Sequence, residues 1–287
     1  MFVIIGYVVV LAAVFGGYAL AGGKFAVLIK AAPVELFIIG GAGLGAFLVS
    51  NSSKILKATV KTLPTLVKGS KYTKARYMEL LALLYDLLQK ARKEGLMSIE
   101  RDVEAPHESP LFGRYPNVSA DHHLIEFVTD YLRMMVSGNL NPHEIENLMD
   151  SEIETHHQEA HGPMSAIQKV GDGLPAFGIV AAVLGVVKTM ASVGAAPAVL
   201  GQMIAGALVG TFLGILLAYG FVSPLASLLE QKAEEAGKEL LCVKITLLAS
   251  MQGYAPAIAV EFGRKVLFST ERPSFTELEQ HVKQKRA

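Results

Sequence analysis

The sequence predicts an all-α membrane protein: four transmembrane helices, a large helical cytoplasmic domain between spans 2 and 3, and a helical C-terminal tail. Of the 287 residues, 52% are hydrophobic and only 18% are charged, whereas a typical soluble domain is about 25% charged. The apolar residues also form four blocks, each long enough for a membrane-crossing helix of roughly 17–25 residues. Outside these blocks, apolar residues recur at helical spacing, which predicts amphipathic helices there.

The four blocks are nearly free of charge. They are Met1–Ala21, Pro33–Ser50, Leu174–Ser192 and Ala195–Leu229. Glu35 and Lys188 are the only charged residues inside them. The first block lacks the basic start of a signal peptide and is as long as a span. We therefore expect it to be retained as span 1.

Lysine and arginine are distributed unevenly. Of 26, 14 lie between residues 51 and 170 and nine follow Leu229. Six lysines follow span 2 with no acid among them: Lys54, Lys57, Lys61, Lys68, Lys71 and Lys74. Because cytoplasmic loops carry the excess of basic residues, this loop and both termini are expected to be cytoplasmic. The outer loops then lie near residues 22–32 and 193–198.

These boundaries predict four parts. They are 1–50 with spans 1 and 2, 51–171 as a cytoplasmic helical domain, 172–226 with spans 3 and 4, and 227–287 as cytoplasmic C-terminal helices. The apolar spacing predicts helices over Tyr77–Lys93, Ser119–Ser137, Glu144–His157, Leu225–Met251 and Glu261–Ser269. We expect Gly95 to end the first helix, Ser98 to cap the next segment, and Gly162-Pro163 to interrupt the chain before span 3.

Rows of small residues run along three spans. They include Gly206, Gly210 and Gly214 in span 4, Gly41 and Gly45 in span 2, and Gly178 and Gly185 in span 3. Such rows let helix backbones approach closely in lipid. The contact can be within the chain or with other subunits, and the pattern alone leaves both open.

Ionisable residues are expected only near the membrane surfaces. Glu35 should lie about one turn into span 2, Asp172 just before span 3, and Lys188 near the outer end of span 3. A proton relay needs a titratable group at depth. If this chain conducts protons, another polypeptide must supply that carboxylate. A structural membrane anchor would need none.

Two prolines lie at the cytoplasmic ends of spans 3 and 4. Pro175 suits a first helical turn, where its missing N–H would be unpaired in any case. Pro224 lies late in its span and should kink or end the helix. Two kinks at one membrane level would form a hinge.

A dense patch of mixed charge surrounds the predicted helix break at Gly95. Its members are Lys90, Arg92, Lys93, Glu94, Glu100, Arg101, Asp102 and Glu104. Such a patch is either solvated surface or a site for a transient protein contact that charge can steer.

Enzymes, cofactor sites and nucleic-acid binding find no support. His157 and His161 have the i, i+4 spacing of zinc ligands, but Gln158 stands where the zincin pattern has Glu. A solvated polar helix explains these histidines better, and we expect no metal. No nucleophile elbow or phosphate loop occurs, and the net charge is zero. The single cysteine, Cys242, excludes an internal disulfide.

Several segments resemble flagellar-motor stator A subunits (MotA), within the MotA/TolQ/ExbB proton channel family. They are Gly6–Leu11, Val14–Tyr18, Ser70–Ala75, Glu100–Asp102, Val170–Gly178, Thr211–Gly220 and Ala257–Lys265. The resemblance covers essentially the whole chain. It implies a multi-pass protein of the bacterial inner membrane that turns protonmotive force into torque, not an enzyme.

The resemblance also implies partners and site residues. Five A chains would surround two B chains (MotB) in membrane lipid, and a B-chain Asp would accept the proton. Arg92 and Glu100 of the 51–171 domain match contacts to the rotor protein FliG. Pro175 and Pro224 match prolines that couple protonation to movement, and Thr211 matches a polar residue of the ion path. Sodium-driven relatives carry Thr where this chain has Ala182, which favours protons.

Two other classes of protein remain open as alternatives to a stator subunit. An energiser of outer-membrane transport, of the ExbB/TolQ type, would have three spans with an external N-terminus. An intramembrane enzyme would need a nucleophile or a metal pair inside the spans, and the sequence offers neither.

Overall fold

The computed structural model describes residues 2–138 and 141–284. In chain order its α-helices are α1 (Phe2–Leu20), α2 (Phe25–Ser50), α3 (Ser53–Thr62), α4 (Lys74–Glu94), α5 (Glu100–Glu104), α6 (Pro116–Ser119), α7 (His122–Ser137), α8 (Pro142–Met190), α9 (Pro197–Leu217), α10 (Ser223–Met251), α11 (Pro256–Lys265) and α12 (Phe275–Gln284). A π-helical turn, Ala218–Val222, connects α9 to α10. The described residues contain no strand, and the predicted all-α fold is confirmed.

Within the described part of the chain, four helical segments are long and apolar enough to cross a membrane: α1, α2, α8 and the run Pro197–Met251. A helix satisfies all backbone groups internally, which lipid requires. α1 has no buried residue, and α2 leaves side chains such as Phe37 and Val49 more than 80% exposed. Apolar exposure of this kind suits contact with lipid or with other membrane helices.

The chain divides into two compact units. The membrane unit comprises Met1–Gly69 and Glu159–Gln231, and the helical unit comprises Ser70–Gln158 and Lys232–Ala287. In the membrane unit, α2 packs along α9. Its small core is formed by Ile39, Leu174, Ala181, Val209, Leu213 and Ala218.

The helical unit has the larger core. The predicted leucine stripe of α4 is buried, and Leu80, Leu83, Leu84 and Leu87 are each fully inaccessible. Burying one such side chain stabilises a fold by about 1.5–3 kcal/mol. The α4 helix starts after Thr73, whose Oγ1 accepts a hydrogen bond from the Arg76 backbone N–H, and ends at Gly95 as predicted.

The second span is longer than predicted. α2 begins at Phe25, not at Pro33, and includes Pro33 as an internal residue. The sequence predicts an outer loop near residues 22–32, but α2 covers most of this segment, since a long lysine side chain such as that of Lys30 can reach polar surroundings from a membrane helix. As a result, Glu35 lies almost three turns from the start of α2, instead of one.

The predicted interruption at Gly162-Pro163 is wrong. α8 runs without a break from Pro142 to Met190 and contains both Pro163 and Pro175. An internal proline removes one backbone hydrogen bond, but neighbouring packing can compensate in a long helix.

The expected Ser98 cap is also wrong, because the Ser98 hydroxyl donates to the carbonyl oxygen of Gly95 (2.7 Å) within a 3₁₀ turn, Leu96–Ile99.

Candidate functional site

Helices α8 and α9 meet backbone to backbone through glycine. A Cβ atom placed on Gly178 would lie 2.8 Å from the carbonyl oxygen of Gly210. A Cβ atom placed on Gly214 would lie 2.7 Å from the carbonyl oxygen of Leu174. No larger residue fits these positions without displacing a helix. These glycines thus pack within the chain, whereas a Cβ atom on Gly41 or Gly45 of α2 would meet nothing within 4 Å.

Ala182 and Thr211 lie beside this glycine contact. A Cβ atom on Gly210 would be 3.2 Å from the backbone nitrogen of Ala182, and one on Gly178 would be 3.3 Å from the Cα atom of Thr211. Both side chains are half-buried. The structure therefore brings together two residues that are 29 positions apart in the sequence.

Pro175 does not occupy a first helical turn. It lies inside α8, 33 residues after Pro142. Pro224 does not end its helix. It is the second residue of α10, which begins directly after the π turn. There the Ser223 backbone N–H donates to the carbonyl oxygen of Ala218, five residues back. A π turn rearranges the backbone ladder locally, and such turns are frequent at functional sites.

The two proline-bearing segments contact each other. A Cβ atom on Gly171 would lie 2.6 Å from the Ser223 hydroxyl oxygen. Gly171 is one helical turn before Pro175, and Ser223 immediately precedes Pro224. Movement of one segment must therefore be accommodated by the other.

Tyr7 of α1 is hydrogen-bonded to the π turn, a contact that the sequence pattern does not predict. Its hydroxyl donates to the carbonyl oxygen of Phe221 (2.9 Å), and the two rings lie 4.7 Å apart. A tyrosine within an otherwise apolar span was the available signal, because a buried tyrosine hydroxyl needs a partner. The location of that partner, 214 residues away, could not be read from the pattern.

The mixed-charge patch of the helical unit separates into paired and exposed members. Lys90 Nζ donates to Asp102 Oδ2 (2.7 Å), and the Ser109 hydroxyl donates to Asp102 Oδ1 (2.5 Å). Arg133 Nε donates to Glu104 Oε1 (3.0 Å). Asp102 is only 7% exposed, so this part of the patch holds the α4–α5 turn in place.

Arg92 and Glu100 lie on the exposed part. Both side chains are exposed, and neither forms an ion pair within the described residues. Between them the chain turns at Gly95, whose φ of 88° favours glycine. Arg92 also lines a cavity of about 500 Å³, together with apolar residues that include Leu96 and Tyr254. The arrangement offers unpaired charge of both signs beside apolar surface.

A buried charge network positions the start of α4. Arg76 forms hydrogen-bonded ion pairs with Glu239 (Nε to Oε1, 2.6 Å) and Asp121 (Nη2 to Oδ2, 2.7 Å). Burial opposes the charge on Arg76, but the hydrogen bond and charge of Glu239 raise the pKa of the guanidinium overall. Burial likewise opposes the charge on Asp121, but Lys71 and then Arg76 lower the pKa of its carboxyl overall. The sequence does not reveal this network, because its members are up to 163 residues apart.

The histidines lie on α8. His157 and His161 are exposed, and Gln158 Nε2 donates to Glu154 Oε1 (2.9 Å). Among residues 2–138 and 141–284, no group of three or more His, Cys, Asp or Glu side chains could hold a metal ion.

Comparison with known proteins decides the family. Residues 4–95 match the family model Motility protein A N-terminal, and residues 119–241 match that of the MotA/TolQ/ExbB proton channel family. The chain is 58% identical to Motility protein A of Salmonella typhimurium, over 99% of this chain and 95% of that protein. This chain belongs to the Motility protein A family.

More distant relatives agree with this family assignment. Chemotaxis protein LafT of Vibrio parahaemolyticus is 38% identical over 96% of each chain. Two solved structures share the fold. The C. jejuni MotAB structure has a TM-score of 0.78 at 23% identity, covering 95% of this chain and 98% of that one. The Bacillus subtilis flagellar MotAB stator complex has a TM-score of 0.73 at 24% identity, covering 90% and 92%.

Family membership and the four apolar helices make the chain a multi-pass inner-membrane protein. The resemblance to the MotA/TolQ/ExbB proton channel family is therefore confirmed. The family is one of proton channels rather than of known catalytic enzymes.

Proposed function

We propose that this chain is the A subunit of a flagellar-motor stator. With a B subunit it forms a proton-conducting channel that converts protonmotive force into torque on the rotor. The observation that carries this proposal is the 58% identity to a Motility protein A over nearly the full length of both chains. The two solved structures that share its fold are named as MotAB, a complex of A and B subunits.

The B subunit (MotB) supplies the aspartate that accepts the proton. The α8–α9 contact provides the A-chain side of that path, because Thr211 contributes a half-buried hydroxyl beside Ala182. Sodium must exchange its hydration shell for several oxygen ligands. Ala182 contributes no side-chain oxygen, so a single threonine hydroxyl and one carboxylate suit a proton better than a sodium ion.

Five A chains surround a dimer of B chains within membrane lipid. Support comes from surfaces that this chain leaves uncovered. The glycines of α2 at positions 40, 41 and 45 meet nothing within 4 Å at their Cβ positions. α1 buries no residue at all. Small-residue faces of this kind promote helix association in lipid.

The rotor contact lies at the turn between α4 and α5, in the helical unit. Arg92 and Glu100 meet the rotor protein FliG there, since both are exposed and neither has an ion-pair partner among the described residues. Charges that are unpaired in the free subunit lose no internal bond when a partner binds. By the distribution of lysine and arginine, the helical unit and both termini are cytoplasmic.

Protonation is coupled to rotor movement through Pro175 and Pro224. The proline-bearing segments of α8 and α10 touch at Gly171 and Ser223. A change of charge near Thr211 alters the packing of α9, and the π turn that follows α9 can absorb the displacement.

Complementation tests the proposal. This chain, expressed with its B subunit in a bacterium that lacks its own stator, should restore swimming and should co-purify with the B subunit. Loss of either result in cells with normal membrane levels of both chains would contradict the assignment. The matched negative control is the B subunit expressed alone.

A further inference from the structure

Glu35 lies near the middle of α2, further from the start of its helix than the sequence predicts. It is the eleventh residue of a 26-residue helix, about 15 Å from the helix start at a rise of about 1.5 Å per residue. Glu35 is only 7% exposed. A nearly buried ionisable side chain inside a membrane-spanning helix is costly and points to a functional site.

The carboxyl group of Glu35 has no compensating partner within the described residues. Its Oε2 atom is buried and has no hydrogen bond. No lysine or arginine nitrogen of the described residues lies within 4 Å of it. The oxygen occupies a notch that exists because residue 210 is glycine, since a Cβ atom on Gly210 would lie 2.5 Å from Glu35 Oε2. A buried, unpaired carboxylate is strongly unfavourable, so this group requires a proton or water.

A cavity of about 510 Å³ opens onto Glu35 between α2, α8 and α9. Its polar lining includes Lys30, Lys188, Thr189 and Gln202. Besides Glu35, the charged residues among the described lining are Lys30 of α2 and Lys188 of α8. The polar side chain that α9 contributes is the neutral Gln202. A volume of this size and polarity holds several water molecules, each of which needs roughly 10–15 Å³.

Gly210 places Glu35 next to the α8–α9 contact. The Cβ position of Gly210 that is 2.5 Å from Glu35 Oε2 is 3.2 Å from the backbone nitrogen of Ala182. Thr211 is the next residue of α9. The carboxyl group therefore lies between this cavity and the residues that line the proposed ion path.

We propose that Glu35 is a second proton-binding site of the membrane unit, which exchanges protons between water in this cavity and the α8–α9 contact. This inference rests on the proposed channel function. A hydronium ion in the cavity gives its proton to a Glu35 carboxylate oxygen, forming one O–H bond and leaving water. The neutral carboxyl then returns the proton to a water molecule beside Ala182 and Thr211. No other bond changes, and no second reactant is needed.

Carbodiimide labelling tests proton binding without reference to motility. Dicyclohexylcarbodiimide reacts with protonated carboxyl groups in apolar surroundings. Membranes that contain the complex of this chain and its B subunit should yield a Glu35 peptide modified by the reagent, with labelling that falls as pH rises. Mass spectrometry separates this peptide from any labelled B-subunit peptide. Absence of label at Glu35 at every pH would overturn the proposal.

Proton flux tests whether that binding contributes to conduction. In vesicles with a pH-sensitive dye, Glu35→Gln keeps the side-chain shape but removes the titratable oxygen, and should lower flux about tenfold or more. Glu35→Asp should restore part of it, whereas Glu159→Gln, at an exposed acid of α8, should leave flux unchanged. Equal flux in Glu35→Gln and wild type, at equal membrane levels, would overturn the proposal. If wild type conducts no protons, the channel function itself fails, while labelling still reports on Glu35.

Discussion

Tyr7 stabilises the π turn through a single hydrogen bond. Removing its hydroxyl by Tyr7→Phe leaves the carbonyl oxygen of Phe221 without this donor and should lower stability by about 1 kcal/mol. We expect reduced torque and a lower unfolding temperature for the detergent-extracted stator complex. Tyr18→Phe is the matched control, because the Tyr18 hydroxyl makes only an exposed 3.3 Å contact with the carbonyl oxygen of Lys24. Equal behaviour of the two variants would show that the Tyr7 bond is dispensable.

Asp121 should make the helical unit sensitive to acid. Its pKa is lowered in the folded protein by Lys71 and Arg76, against the opposing effect of burial. A lowered folded pKa contributes stability that is present above the unfolded pKa of about 4 and is lost as pH falls through the folded value. Asp121→Asn should therefore be less stable than wild type at pH 7, and the difference should shrink below about pH 4.

The measurement for Asp121 is the unfolding temperature of the solubilised complex over a pH series. Asp130→Asn serves as the control, because Asp130 pairs with Arg133 at the exposed surface and such pairs contribute only about 0–1 kcal/mol. A stability difference for Asp121→Asn that stays constant from pH 7 to pH 3 would contradict the role given to this ion pair.

The turn between α4 and α5 should tolerate charge reversal in its fold but not in its function. Arg92→Glu and Glu100→Lys break no ion pair within the described residues, so membrane levels and B-subunit binding should stay near wild type while swimming is impaired. An opposite charge introduced on FliG should partly restore swimming. Asp102→Asn provides the contrast, since it weakens the bonds to Lys90 and Ser109 and should reduce protein levels instead. If cells carrying each of the two charge-reversed variants swim normally, this surface is solvated and does not contact the rotor.

At the scale of the element, the contact of α8 with α9 depends on glycine. Gly178→Ala would place its Cβ atom 2.8 Å from the Gly210 carbonyl oxygen, and overpacking of this kind costs about 1–3 kcal/mol. We expect loss of ion flux and a lower unfolding temperature of the extracted complex. Gly201→Ala in α9 is the control, because nothing lies within 4 Å of its Cβ position. Unchanged flux in Gly178→Ala would mean that the helices are not held this closely.

Helix positions were predictable from the sequence, but helix continuity was not. The stripe of leucines in α4 and the stop at Gly95 follow from local spacing and backbone preference. Pro33, Pro163 and Pro175 were expected at helix starts or breaks, yet each lies inside a helix. Local proline rules describe an isolated turn, whereas packing along a long helix compensates for one missing hydrogen bond.

At the scale of the whole molecule, composition predicts the membrane helices because bilayer thickness fixes their length. The structure divides the chain into two compact units. The finer division into four parts, with boundaries after residues 50, 171 and 226, stays a prediction. The assignment of Arg92, Glu100, Pro175, Ala182, Thr211 and Pro224 to roles came from family resemblance and likewise stays a prediction. The bond of Tyr7 to Phe221 and the notch for Glu35 at Gly210 could not be predicted, since each joins segments far apart in sequence.

The central claim is that protons drive torque through this subunit. Identifying the ion that drives swimming tests this claim most directly. Swimming speed should be measured in a stator-deficient bacterium that carries this chain and its B subunit, while each ion gradient is collapsed separately. We predict that a protonophore stops swimming in the presence of sodium, and that sodium withdrawal at constant protonmotive force leaves speed unchanged. Swimming that persists under the protonophore but stops when sodium is removed would contradict the account, and with it the significance given to Ala182.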